Sequence, residues 1–316
     1  MFKTEYLKIN VALGPYTTFR IGGPADFFYE PKDTDDLCAS LVYARDNKIP
    51  FFILGDGSNI LIADQGFKGL VVKFKGNFIL YEDGILKFDA SANLSSLVDF
   101  AFKNSLTGLE WATGIPGTIG GSIHGNAGAF GKTIEGNSPR VKVFDVENNK
   151  TFFLNANECE FSYRHSLFKT NKNYIILGGE MILAKQNQKI IAEEMNKNLT
   201  LRKNNPLEPS AGCVFRNAKL INLGSDIIAS LEVEYHDDFS RFSKIGTIPA
   251  GWLVERVGLK GQGIGGAKVS EKHANFIINA NYATANDVYK LISLIKQKVK
   301  NKFNIELSEE IEYVGF

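Results

Sequence analysis

Thr113-Gly114-Ile115-Pro116-Gly117-Thr118-Ile119-Gly120-Gly121-Ser122-Ile123-His124-Gly125-Asn126-Ala127-Gly128-Ala129-Phe130-Gly131 lies in the most glycine-dense part of the chain, where nine of the 30 glycines fall between Gly108 and Gly136. Neither a helix nor a long strand is expected at that density, because ordering glycine costs more backbone freedom than ordering any other residue. The same freedom permits positive φ and close ligand approach, so successive N–H groups can converge on an anion as a nest. A pyrophosphate is the natural guest of such a loop. No Lys-Ser or Lys-Thr follows, which disfavours the phosphate loop of nucleoside triphosphate hydrolases.

A second glycine cluster, Leu54-Gly55-Asp56-Gly57-Ser58-Asn59-Ile60-Leu61-Ile62, sits between two apolar strand-like runs and taken alone reads as a tight turn. The third glycine of a GxGxxG is missing, and Ile60-Leu61-Ile62-Ala63 predicts a strand where a Rossmann fingerprint requires a helix. A Rossmann dinucleotide site is therefore excluded.

Outward from these loops the pattern alternates. Phe27-Phe28-Tyr29, Phe51-Phe52-Ile53-Leu54 and Leu70-Val71-Val72-Lys73-Phe74 read as strands. Asp33-Thr34 can cap a helix that carries Leu37, Leu41 and Val42 on one face. Leu94, Leu97, Val98 and Ala101 predict a helix over about 94–103, and another is expected near 190–203. From Asn286, Val288, Leu291, Ile292, Ile295 and Val299 form one apolar stripe, with Lys290, Lys296, Lys298 and Lys300 off it. That basic face reads as a solvated helix surface. Asn204-Asn205-Pro206-Leu207-Glu208-Pro209-Ser210 has the punctuation of a boundary. Residues 218–248 are polar, carry Asp237-Asp238, and are expected to be an irregular insertion.

Composition narrows the function. With 316 residues, 44% hydrophobic and 22% charged, the chain is an ordinary folded protein of about two domains. Lys plus Arg (36) against Asp plus Glu (35) leaves +1, no field to gather nucleic acid or anionic lipid. Met1-Phe2-Lys3-Thr4-Glu5-Tyr6-Leu7-Lys8 lacks the continuous apolar segment of a secretory signal, and nowhere do about 18 apolar residues run together, so a cytoplasmic protein without a membrane span is expected. Cys38, Cys159 and Cys213 are far apart and show no CxxC pairing, which argues against disulfides and against a zinc site. Three downstream groups stand out. Arg164 in Phe161-Ser162-Tyr163-Arg164-His165-Ser166 has a planar guanidinium suited to a carboxylate or an enolate oxygen. Cys213 follows a glycine in Pro209-Ser210-Ala211-Gly212-Cys213-Val214-Phe215 and is read as a turn residue before a strand. Glu310 lies in Glu309-Glu310-Ile311-Glu312-Tyr313-Val314, where alternation predicts a C-terminal strand with Glu310, Glu312 and Val314 on one side. Taken singly, each has a bland reading: surface arginine, core cysteine, solvated edge acid.

Taken in order, these motifs resemble the UDP-N-acetylenolpyruvoylglucosamine reductase family. The resemblance runs from Thr17-Thr18-Phe19-Arg20-Ile21-Gly22-Gly23 to Glu310-Ile311-Glu312-Tyr313-Val314-Gly315. It includes Ala250-Gly251-Trp252-Leu253, Gly265-Gly266-Ala267-Lys268-Val269-Ser270 and His273-Ala274-Asn275-Phe276-Ile277-Ile278-Asn279. It implies an α+β chain: an FAD-binding fold of the vanillyl-alcohol-oxidase type in two subdomains over 1–203, then a substrate-binding domain over 204–316 carrying the 218–248 insertion. By the same resemblance, Gly55, Asp56, Gly57, Ser58 and Asn59 form one loop about non-covalent FAD. Gly114, Ile115, Pro116, Gly117, Gly121, Asn126 and Gly128 form the other. Asn217 and His273 are implied substrate contacts, while either Arg202 or Lys203 is left as the residue that meets the diphosphate. The spacing from Arg164 to Cys213 implies the subgroup without the tyrosine-bearing loop, although the 218–248 insertion resembles longer members.

The reaction so implied is NADPH-dependent reduction of an enolpyruvyl sugar nucleotide in bacterial peptidoglycan synthesis, a process tied to cell shape and division. Hydride passes from flavin N5 to the substrate's C3, and Cys213 gives a proton to C2. Arg164 and Glu310 stabilise the charge that develops. Many members carry serine at the position of Cys213; a thiol, with a reference pKa near 8.5, is a stronger acid and preserves proton donation while it stays protonated. Beside a carboxylate, Glu310 is expected to titrate above the ordinary range. The implied partner is a small sugar nucleotide, with no nucleic acid, membrane or metal, and the enzyme is expected to be a monomer. Two other readings remain at this point: another FAD-dependent oxidase or dehydrogenase of the same fold, and a non-catalytic nucleotide-binding protein.

Overall fold

In the computed structural model, which describes residues 2–316, short polar side chains start several of the helices. Asp33 accepts Asp36 N–H at 2.8 Å and opens the helix Thr34–Asp46, which turns Leu37, Leu41 and Ala44 inward. The expected second helix spans Leu94–Lys103, and the third spans Gln188–Leu201. Thr284 and Asp287 form a capping box that starts the long helix Ala285–Phe303, with Val288, Leu291, Ile292, Ile295 and Val299 buried along its apolar stripe.

The chain forms two units. The first comprises residues up to Val11, Ala25–Asp56 and Lys68–Lys203; the second comprises Ala12–Pro24, Gly57–Phe67 and Asn204–Phe316. One change of unit falls at 203/204, and the first unit is not a continuous 1–203 region. Long-range pairing is the reason. Glu312–Val314 lies parallel to Ile60–Ile62, and Thr18 Oγ1 donates to Ser210 O at 2.7 Å, so both short segments belong with the C-terminal residues.

The first unit holds two larger sheets. One has the strand order Lys8–Ala12, Pro24–Tyr29, Phe67–Val72, Phe51–Ile53, the last two being parallel. The other is antiparallel, in the order Lys150–Leu154, Arg140–Asp145, Tyr174–Met181, Ile85–Asp89, Ile79–Glu82. Tyr29, Leu37, Leu41, Leu70 and Val72 from the first share a core with Phe144, Ile175 and Leu177 from the second. The glycine-dense stretch does contain a helix, Ile119–His124, against expectation. It is short, and the Thr118 side chain offsets part of the glycine cost by accepting Gly121 N–H at 3.1 Å.

The second unit is built on an antiparallel sheet in the order Ser210–Cys213, Phe276–Asn279, Ala267–Val269, Gly263–Ile264, covered by Ala285–Phe303. The 218–248 segment is not irregular. It forms the helices Ser225–Glu234 and His236–Ile245, whose Leu231, Phe239 and Phe242 enter the unit's core; Trp252 packs on Tyr235 and Phe242 with ring centroids 4.9 and 5.1 Å apart. Two further expectations change. Cys213 ends a strand instead of lying in a turn, with Gly212 at φ +76 where the pairing shifts register. The last strand is only Glu312–Val314, so Glu310 precedes it, and Ile311 and Val314 are both buried, which breaks the alternation.

Candidate active site

In the first unit, the parallel strands Phe51–Ile53 and Phe67–Val72 end side by side, which brings Lys73 to the turn after the first. Lys73 Nζ donates to Gly55 O at 2.6 Å and lies 3.7 Å from Asp56 Oδ1. Burial pushes its ammonium below the usual lysine range, against the attraction of Asp56. Asp56 Oδ2 accepts Asn93 Nδ2 at 2.7 Å, and Asn93 forms a β-bridge with Thr118 of the second glycine loop. The two loops meet so closely that a Cβ on Gly55 would stand 2.8 Å from Thr118 Oγ1.

The second loop is tied down along its length. Leu94 N–H donates to Gly117 O at 2.9 Å, and Ile115 N–H to Ala112 O at 3.0 Å. Gly114 and Gly117 have φ of +78 and +130, a region open to glycine at little cost. Arg202 Nε donates to Thr113 O at 3.0 Å and another guanidinium nitrogen to Trp111 O at 3.1 Å, with the group 4.8 Å from the Phe130 ring centroid. Arg202 is thus bonded to the loop itself, while Lys203 is exposed. At the far end, Gly128 pairs with Thr133, and a Cβ there would meet Lys132 O at 2.6 Å.

Asn126 is buried at φ +42, and its side chain faces the protein: Nδ2 donates to Ser162 O at 2.9 Å and Glu135 Oε2 at 3.2 Å, and Oδ1 accepts Glu135 N–H at 3.2 Å. Ser166 Oγ donates to His124 O at 2.7 Å. Between these ties, Ser162 and His165 exchange two 3.1 Å backbone bonds that close a turn over Tyr163 and Arg164. Arg164 is half-buried at its tip, at φ +54. The glycine loop and the arginine motif are one assembly.

In the second unit, Gly57 has φ +60, and a Cβ there would lie 2.8 Å from Thr17 Cα; its carbonyl accepts Thr18 N–H at 3.3 Å. Ser58 lies between Gly57 and Asn59, whose backbone carbonyl accepts Glu312 N–H at 2.9 Å. Asn59 Nδ2 donates to Glu310 O at 3.2 Å, and Glu310 N–H to Val214 O at 2.7 Å, so the half-buried Glu310 sits at the residue after Cys213. Asn275, buried at 4% exposure, fixes that strand end: its Oδ1 accepts Phe215 N–H at 3.0 Å, its Nδ2 donates to Phe215 O at 2.8 Å, and its carbonyl accepts Val214 N–H at 2.8 Å. Asn217 is exposed and uses Oδ1 to accept Ala250 N–H at 3.0 Å at the start of the helix Ala250–Arg256. His273 Nδ1 accepts Asn275 N–H at 3.2 Å, and burial lowers its pKa, which keeps the ring neutral. Thus Cys213, Glu310, Gly57, Ser58, Asn59, Asn217 and His273 belong to one unit, and Arg164 with Gly55, Asp56 and the second glycine loop to the other.

Among the described residues, no group of three or more His, Cys, Asp or Glu is placed to hold a metal ion, and no helix is long and apolar enough to cross a membrane. The sequence reasoning missed Lys73, Asn93, Thr118, Asn275 and the loop-binding role of Arg202. Thr118 and Asn275 lay inside quoted motifs, and nothing local marked Lys73 or Asn93.

Residues 203–314 match the model of the UDP-N-acetylenolpyruvoylglucosamine reductase C-terminal domain, and residues 25–143 match that of an FAD binding domain. A UDP-N-acetylenolpyruvoylglucosamine reductase of Caldanaerobacter subterraneus is 39% identical over 318 residues, spanning 100% of this chain and 96% of the relative. The chain belongs to this reductase family. The same-named protein of Clostridium novyi is 36% identical over 98% of the chain and 93% of its own length. The crystal structure of UDP-N-acetylenolpyruvylglucosamine reductase from Thermus caldophilus superposes with a TM-score of 0.77 at 28% identity, covering 98% of this chain and 100% of that one.

Members of the reductase family with this FAD binding domain are flavoenzymes, and the chain is an FAD-dependent oxidoreductase of the α+β fold expected. The residues present fit that cofactor. Two glycine loops in contact, where a Cβ on Gly55 would stand 2.8 Å from Thr118 Oγ1 and where Gly114 and Gly117 hold positive φ, form a backbone cradle suited to a dinucleotide's diphosphate.

Proposed function

We propose that this protein reduces UDP-N-acetylglucosamine enolpyruvate to UDP-N-acetylmuramate with NADPH, as a cytoplasmic monomer supplying bacterial peptidoglycan synthesis. FAD, held by Gly55, Asp56, Gly57, Ser58 and Asn59 and by the glycine loop over 114–128, would supply the hydride for C3 of the enolpyruvyl group, with NADPH as its source. The chain's residues manage the charge and proton that follow. Hydride addition at C3 leaves negative charge at C2, delocalised into the substrate carboxylate. Arg164 supplies a fixed cation to that carboxylate, and Glu310, when protonated, donates a hydrogen bond to it. The Cys213 thiol then transfers its proton to C2, so C–H bonds form at C3 and C2 and the C=C bond is lost. The resulting thiolate is reprotonated from water. Asn217 and His273 hold the sugar nucleotide through its polar groups, the neutral imidazole offering an Nε2–H donor.

The observation that supports this reading is the 2.7 Å bond from Glu310 N–H to Val214 O, which holds the backbone of Glu310 beside the residue that follows Cys213. Anaerobic stopped-flow absorbance tests it. One equivalent of NADPH is expected to bleach the flavin, and the enolpyruvyl sugar nucleotide to restore its oxidised spectrum with formation of the muramate product. Bleaching without reoxidation by that substrate refutes the assignment.

A further inference from the structure

Two cations of the first unit bond carbonyls of the glycine loops. Lys73 Nζ donates to Gly55 O at 2.6 Å, and Arg202 Nε to Thr113 O at 3.0 Å. These peptides are trans, and in a trans peptide the carbonyl and the following N–H point in opposite directions. Lys73 therefore turns Asp56 N–H away from itself, and Arg202 does the same to Gly114 N–H. Among the described residues, neither N–H has an acceptor. We infer that Lys73 and Arg202 are positioning residues for FAD: each draws a loop carbonyl back toward the protein, so that the next N–H faces the cofactor's diphosphate.

The surroundings hold both cations to this task. The Lys73 side chain is only 14% exposed, and Asp56, 3.7 Å away, is held in turn by Asn93. Arg202 stacks on Phe130 and also bonds Trp111 O. A Cβ on Gly114 would come within 3.3 Å of Arg202 Cδ, so that glycine leaves room for the pin as well as for its own φ of +78. A charged donor on a carbonyl also polarises the peptide and strengthens its N–H toward an anion. The cations thus raise affinity through the backbone, where a cation placed on the phosphate would act directly.

The inference rests on assigning the two loops to FAD, and one experiment separates the two. FAD release from diluted holoenzyme is followed by recovery of free-flavin fluorescence, and the bound diphosphate by phosphorus NMR, in Lys73→Met, Lys73→Arg, Arg202→Met, Arg202→Lys and Gly114→Val. The methionine variants are expected to release FAD at least about tenfold faster, as loss of one charge-assisted hydrogen bond implies, with displaced phosphorus resonances. The conservative cations are expected to restore most of both. Since the two pins are tested separately, failure of one methionine variant to fold leaves the other to decide. Wild-type release and resonances in the methionine variants, with faster release in Gly114→Val, overturn the positioning role and leave the loop assignment standing. Unchanged release in Gly114→Val overturns both. Losses that Lys73→Arg and Arg202→Lys do not recover mark a packing role and also overturn it.

Discussion

The backbone of Glu310 is bonded to that of Val214, N–H to carbonyl at 2.7 Å, and the same Glu310 offers its own carbonyl to Asn59 Nδ2 at 3.2 Å. One residue therefore ties the C-terminal segment both to the strand end bearing Cys213 and to the first glycine loop. All three partners lie in the second unit. Backbone ties of this kind fix a side chain's origin while leaving its functional group available for chemistry.

If Cys213 is the proton donor, Cys213→Ala retains flavin reduction by NADPH and loses about 10²–10⁴-fold in the half-reaction with the enolpyruvyl substrate, the usual span of general acid catalysis. Cys213→Ser keeps substantial activity. Stopped-flow measurement of each half-reaction checks both, and an inactive serine variant that still holds FAD would remove the assignment.

Asn126→Ala breaks the brace between the glycine loop and the turn bearing Arg164. It removes three hydrogen bonds, and it puts alanine at φ +42, which asparagine tolerates better. Ser162 O keeps its bond from His165 N–H, so the loss of these part-buried bonds costs about 1–3 kcal/mol. Denaturant unfolding of the holoenzyme measures the loss, and a change below about 0.5 kcal/mol would contradict it.

His273 makes stability pH-dependent with a defined sign. Its folded pKa lies below the ordinary 6.5 because burial penalises the cation. The unfolded chain therefore takes up the proton first, and stability falls as pH drops through 6.5 toward the folded pKa, while well above 6.5 this group contributes no slope. Thermal melts between about pH 5 and 8 should show a shallower decline in His273→Gln than in the unmutated protein. Equal slopes would place the dependence elsewhere.

Asn275 pairs both backbone groups of the buried Phe215. In Asn275→Ala these two groups lose their partners, a cost of about 2–4 kcal/mol. Because the strand end beside Cys213 loosens with it, the second half-reaction should slow more than flavin reduction. A variant that is destabilised but kinetically normal would confine Asn275 to folding.

Some of this was legible in the sequence because it is local. Asp33 caps its helix, Leu94, Leu97, Val98 and Ala101 line one face of theirs, and the Val288–Val299 stripe follows from 3.6-residue periodicity. The glycine loops announced themselves by composition, and the missing third glycine excluded a Rossmann fold. The helices Ser225–Glu234 and His236–Ile245 were also written locally, in the spacing of Ile227, Ile228 and Leu231 in the first and of Phe239 and Phe242 in the second, but polar neighbours masked it.

What the sequence by itself determined, then, is where helices start, which faces are apolar and which loops can bind an anion, since each depends on neighbours within a few turns. Only the tertiary structure decided that Ala12–Pro24 and Gly57–Phe67 belong with the C-terminal residues, because that follows from pairing Ile60–Ile62 with Glu312–Val314. It alone decided that Lys73 serves Gly55 and that Arg202 serves Thr113. A carbonyl accepts from whichever donor the fold delivers, and nothing in the residues around it names that donor in advance.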